Sequence, residues 1–154
     1  MKTENKSEAI KKLDPQKVID NVFLSVYAVT GITKDQITAK GKKRETKVYP
    51  SFCATRLLRE YLPETHNTLR RIGNEVNVAE HASIIHRCKV VDAELHISKG
   101  FKVKTPLADM YIRCQMDFLE RFNLVGDLEM KREYLTMKIS ELQKELDEIE
   151  QILS

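Results

Sequence analysis

Apolar residues recur at steps of three and four through almost every segment of this chain, and no stretch alternates convincingly between apolar and polar. Steps of three and four keep side chains on one face of a helix, whereas a half-buried strand needs a period of two. An all-α fold is therefore expected. The punctuation agrees with it. Asp14-Pro15 reads as an N-cap followed by proline at the first helical position, ahead of a face of Val18, Ile19, Val22, Phe23, Val26 and Tyr27 that Gly31 ends. Thr33-Lys-Asp-Gln36 has capping-box spacing and opens a short helix through about Thr38. A third helix is predicted from about Val48 or Pro50 to Tyr61, with Phe52, Cys53, Leu57 and Leu58 inward and Pro63 beyond its end.

The stretch that follows carries the most information. Thr68 caps a short helix with Leu69, Ile72 and Val76 on its apolar side, and Gly73 inside it leaves room for a second helix to pack closely. Asn77-Val-Ala-Glu80 repeats the capping-box spacing and opens a helix with Ile84, Ile85, Cys88, Val91 and Leu95 on one face. Two helices of this size joined by a tight turn read as a helix-turn-helix. The second of them is expected to present Glu80, His81, Ser83 and Arg87 to solvent near its N-terminus, where a recognition helix meets base edges.

After Gly100, Thr105-Pro106 starts an amphipathic helix of Leu107, Met110, Tyr111, Cys114, Phe118 and Phe122, and Gly126-Asp127 precedes a last one. There Leu128, Arg132, Leu135, Ile139, Leu142, Leu146, Ile149 and Leu153 alternate steps of four and three, a coiled-coil seam of under four heptads. With Ile139, Leu146 and Leu153 at a positions, a parallel pair sets Glu145 against Glu150 and Arg132 against its own copy. An antiparallel dimer, or folding back onto the 105–122 helix, fits the charges at least as well. The domain reading is a flexible tail at 1–13, a binding domain at 14–97 and a helical extension at 98–154, with a homodimer or protein partner engaged through 105–153.

Charge separates along the same division. Residues 1–95 hold 17 Lys and Arg against 12 Asp and Glu, while residues 96–154 hold 9 against 11. Lys40, Lys42, Lys43, Arg44 and Lys47 lie within eight positions and are opposed only by Glu45. A cluster of this kind on a glycine-containing loop can displace counterions from a phosphate backbone. No apolar run reaches 18 residues, and the first twenty residues are too charged for a secretory core, so neither a membrane span nor export is expected. Cys53, Cys88 and Cys114 form an odd, scattered set that fits reduced thiols in the cytoplasm rather than a disulfide framework.

Residues from about Val22 to Leu95 resemble the C-terminal DNA-binding domain of the bacterial replication initiator DnaA. The resemblance rests on the segment Gly31 to Ile37, the basic loop from Lys40 to Glu45, a long helix, and then Thr68-Leu-Arg-Arg-Ile72-Gly73 followed by Glu80-His81-Ala82-Ser83-Ile-Ile-His86. The family writes the last part as Ile-Gly and, after the same interval, Asp-His-Ser/Thr-Thr-Val-x-His. Asn77-Val78-Ala79 stands where the family has Gly-Gly-Arg, and Glu80 where it has Asp. The resemblance implies a helix-turn-helix bundle of the DnaA domain IV or Trp repressor kind, detached from its ATPase module and given a helical extension.

It also implies roles for residues. Arg44 enters the minor groove, Glu80 and His81 read major-groove edges, Ala82 keeps an apolar contact, and Ser83 and His86 hold phosphate or brace the helix. With Lys40, Lys42, Lys43, Lys47, Thr68 and Arg87 these make up the implied DNA-contacting set. The expected function is that of a sequence-preferring double-stranded DNA-binding protein regulating replication initiation or transcription, located in the cytoplasm at the nucleoid. The alternative is an adaptor whose tail recruits a replication or partition protein. No nucleotide-binding Gly-x-x-x-x-Gly-Lys-Ser/Thr is present. No paired carboxylates or nucleophile and base at a recognisable spacing point to catalysis, and neither a metal site nor a cofactor is expected.

Overall fold

The computed structural model describes residues 13–39, 45–101, 104–122 and 128–154. Every regular element among them is an α-helix: α1 (Pro15–Thr30), α2 (Lys34–Thr38), α3 (Glu45–Tyr61), α4 (Leu69–Val76), α5 (His81–Phe101), α6 (Pro106–Arg121) and α7 (Leu128–Leu153). None is long and apolar enough to cross a membrane.

The helix starts follow local chemistry. The Asp14 carboxylate accepts the Gln16 N–H, and Gly31 takes the left-handed conformation (φ 76°) that closes α1 while its N–H donates to the Tyr27 carbonyl. Thr33 and Gln36 form the reciprocal capping box. Thr68 accepts the Arg71 N–H at 3.1 Å and Thr105 the Ala108 N–H at 3.3 Å. The tail before residue 13 and the Gly126-Asp127 break lie outside the described residues.

Three boundaries differ from expectation. α3 begins at Glu45 and carries Pro50 within it, so one backbone bond to residue 46 is missing where the sequence places a start. Asn77 does not cap α5. It closes α4 in the left-handed conformation (φ 58°, ψ 51°), its N–H donates to Gly73, and α5 starts four residues later at His81. Asparagine tolerates this conformation better than most residues. Gly73 has its reason in the same turn: a Cβ there would collide with the Val78 carbonyl, so the close approach is by the turn backbone and not by a second helix. α5 continues through Gly100, and the buried Ser98 hydroxyl accepts the Thr105 N–H at 3.0 Å, which ties its last turns to the start of α6.

A single core joins α1 through α6. Val18, Ile19, Val22, Val26, Ile37, Leu57, Leu58, Ile72, Val76, Ile84 and Val91 are fully buried in it together with Cys114 and Phe118 of α6. α6 packs along α1 and also touches α3 and α5. The expected division at residue 97 therefore falls inside a helix, and α6 belongs to the body rather than to an extension. Ile85 is the misplaced member of the α5 face: Ile84, Cys88, Val91, Leu95 and Ser98 follow one stripe, and Ile85 lies a residue off it, 42% exposed. α7 rests against α6 and α1 away from its seam, which is uncovered from Leu135 to Leu153 among the described residues. Its contact with the body involves Met137, Lys138 and Glu141 beside Ala28, Val29, Arg113 and Asp117, with Arg113 and Glu141 paired.

Candidate functional site

The candidate residues fall on three structural features. Thr68 is exposed at the N-cap of α4. Glu80, immediately before α5, and His81 and Ala82 in its first turn are all exposed. Ser83 is half-buried, and its N–H donates to the Glu80 carbonyl at 3.1 Å. Lys47 is half-buried in the first turn of α3. Lys40, Lys42, Lys43 and Arg44 lie outside the described residues, in the segment that leads into α3.

What brings these features together is the packing of α5 on α3. Arg87 of α5 donates to the Ser51 hydroxyl and, at 3.2 Å, to that of Thr55; both acceptors lie on α3, one turn apart. Further along, Arg56 of α3 donates to Asp92 of α5 at 2.8 Å. Between them, the His86 ring meets Phe52 edge-on, with centroids 6.4 Å apart. The Ser51–Arg87 and Arg56–Asp92 pairs share one offset of 36 residues. Partners that advance together mean that the two helices run side by side in the same direction. Continued back to the helix starts, that offset sets Glu45 level with His81. The N-termini of α3 and α5 consequently open on the same side of the molecule.

Arg87 requires a correction. It does not face solvent: three residues after Ile84 and four before Val91, it borders the buried stripe. Its guanidinium lies 5.4 Å from the Phe52 ring centroid, and burial lowers its pKa from the usual arginine value. Ser51 and Thr55, with no exposure at all, are the polar acceptors that hold it there. The sequence reading missed these two, although polar residues one turn apart on an apolar helix face are a signal, because buried hydroxyls need partners. His86 keeps an exposed surface while its ring rests on Phe52.

The turn between α4 and α5 is tied from another side as well. The Asn77 side chain donates to the Thr38 carbonyl at 2.6 Å, and Glu75 of α4 receives Lys34 of α2 at 3.0 Å and Arg71 at 3.2 Å. Thus α2 props the α4–α5 turn, and Arg71 is occupied within α4. Among the described residues no group of three or more His, Cys, Asp or Glu is placed to hold a metal ion.

This geometry makes a specific outcome expected for Arg87→Ala. Loss of the two hydroxyl contacts should lower the unfolding free energy by about 1–3 kcal/mol. If the side chain braces α5 on α3, the salt dependence of DNA binding stays as it was. A phosphate contact would instead reduce that slope by about one unit. Denaturant unfolding together with binding titrations across salt concentrations separates the two.

Comparison with protein-family models, curated protein sequences and solved structures gives no match for this chain.

Proposed function

We propose that the chain binds double-stranded DNA with sequence preference, the first turns of α5 entering the major groove and Arg44 the adjacent minor groove. The supporting observation is the common side on which α3 and α5 begin, because a duplex offers neighbouring grooves to two elements only if they face it together. The resemblance to the initiator's DNA-binding domain supports the same reading from the sequence.

The chemistry follows from the exposed residues. His81 can donate to guanine or thymine acceptors, and Glu80 can accept from the cytosine amino group. Ala82 presents a methyl to a thymine methyl. The N-terminus of α5 carries a partial positive charge that favours a nearby phosphate, with Ser83 in its first turn, and Thr68 stands at the corresponding end of α4. Arg44 reads minor-groove width and A·T content, while Lys40, Lys42, Lys43 and Lys47 add affinity without sequence information. Arg87 is left out of the base-reading set and positions α5 from behind. A protein of this kind regulates replication initiation or transcription by occupying initiator-like boxes.

The test is a pair of substitutions measured on selected and random duplexes. His81→Ala should cost about 1–3 kcal/mol on the preferred site and little on random DNA. Lys42→Ala or Lys43→Ala should weaken both duplexes alike and flatten the salt slope by about one unit. Equal losses on the two duplexes for His81→Ala would remove it from base readout. Absence of duplex binding at low salt would end the whole reading.

One observation favours the adaptor alternative: among the described residues the seam of α7 is exposed from Leu135 to Leu153. Comparing residues 1–122 with the full chain on the same duplex distinguishes the two. An adaptor leaves no duplex binding in either, whereas a DNA-binding body retains it without α7.

A further inference from the structure

The apolar seam of α7 is exposed for a helix-length distance. Leu135 is 46% exposed, Ile139 65%, Leu142 62%, Leu146 47%, Ile149 52% and Leu153 80%. A continuous stripe of this kind on a water-soluble helix marks an interaction surface. The body does not cover it. The residues of α7 that line its crevice with the body, Met137, Lys138 and Glu141, are centred about a third of a turn round the helix from the seam, at 100° per residue. The seam thus faces away from that crevice.

We infer that the occupant of this seam is α7 of a second copy of the chain, running antiparallel. Two features of the helix select it. The first is register. When Ile139 faces Leu142 of a second copy, Leu135 faces Leu146, Arg132 faces Ile149 and Leu128 faces Leu153. Every seam position of the 26-residue helix then lies opposite another seam position, so the overlap is complete.

The second feature is charge. In a parallel pair Arg132 would meet its own copy, and Glu145 would meet Glu150. The antiparallel pair moves Arg132 beside Glu150 of the second copy and sets Lys138 opposite Glu145 on the other flank. The same register also sets Glu129 opposite Glu150, a like-charge contact with Arg132 beside it in the seam. One arrangement thus opposes like charges at the seam and its edge, and the other neutralises most of them. The two-fold axis of such a dimer crosses the middle of α7. The body meets α7 close to that axis, at Lys138 and Glu141, so the two bodies flank the middle of a two-helix rod about 39 Å long, at 1.5 Å per residue.

The test needs no DNA, so its failure is distinct from failure of the DNA-binding reading. Sedimentation of the full chain across the micromolar range should give twice the 17.9 kDa of a single chain. A single-chain mass throughout would overturn the inference. Leu142→Lys should return the mass to one chain while leaving thermal unfolding of the body unchanged, since the side chain is mostly exposed in the monomer. A doubled mass in this variant would exclude the seam.

Orientation is read with a short bis-maleimide on Leu135→Cys and Leu146→Cys chains, using the parent chain as the control for native cysteines. Cross-linked dimer should form when the two variants are mixed. Either variant alone should give little, because its cysteines are roughly 16 Å apart along the antiparallel helices. Strong cross-linking within each variant alone would establish the parallel pair and overturn the antiparallel one.

Discussion

A chain ending at residue 97 should not fold cooperatively, although the sequence reads as a complete binding domain to that point. α6 supplies Leu107, Tyr111, Cys114, Phe118 and Leu119 to the core, each at most 4% exposed. Fully burying a large apolar side chain contributes about 1.5–3 kcal/mol. Losing several of them removes an amount comparable to the roughly 5–15 kcal/mol by which an ordinary domain is stable. Polar partners are lost too. The Tyr111 hydroxyl donates to Glu60 at 2.8 Å, and Gln115 donates to the Tyr61 hydroxyl at 2.8 Å. Residues 1–122, in contrast, should keep a sharp denaturant transition. Far-UV circular dichroism against urea compares the two fragments directly. A cooperative transition of similar midpoint in the shorter one would show that α6 is an accessory helix after all.

The second large effect is expected at Gly73. Alanine is the better helix former by about 1 kcal/mol, so propensity alone predicts that Gly73→Ala stabilises α4. Geometry reverses the sign. The new Cβ runs into the Val78 carbonyl, a backbone atom that can retreat only if the α4–α5 turn moves. Overpacking of this kind costs about 1–3 kcal/mol net. The turn also sets where His81 begins its helix, so preference for the selected duplex should fall while random-duplex binding persists. Asn74→Ala, on the exposed face of the same helix, is the control and should stay within about 0.5 kcal/mol of the parent. Gly73→Ala as stable as that control would mean that the turn yields freely.

Both effects sit where a linear reading is weakest. Gly73 is recognisable as unusual because glycine inside a short helix is costly, but the atom it makes room for follows a left-handed residue at Asn77. The same four residues carry capping-box spacing, and that local pattern lost to the turn because Asn77 serves α4 instead. The α6 face was legible as Leu107, Tyr111, Cys114 and Phe118. Its destination was not, since a helical period shows that a face must be buried and says nothing about what buries it.

Arg87 makes the point for the candidate site. An arginine in the second turn of a recognition-type helix reads as solvent-facing, and only Ser51 and Thr55, 36 and 32 positions earlier, turn it inward. Glu80 and His81 are exposed as expected, whereas Ser83, expected on the same face, is half-buried.

The amino-acid order alone determined the helical class, the caps at Thr33, Thr68 and Thr105, the stop at Gly31 and the apolar seam of α7. All of these depend on bonds or spacings within a few residues, so their physics is complete in the local chain. Tertiary structure decided that α6 joins the core, that α3 and α5 start on one side, that Arg87 is a brace and that the α7 seam stays open. Each of these is a contact, or a missing contact, between segments far apart in sequence, and such segments acquire neighbours only when the whole body packs.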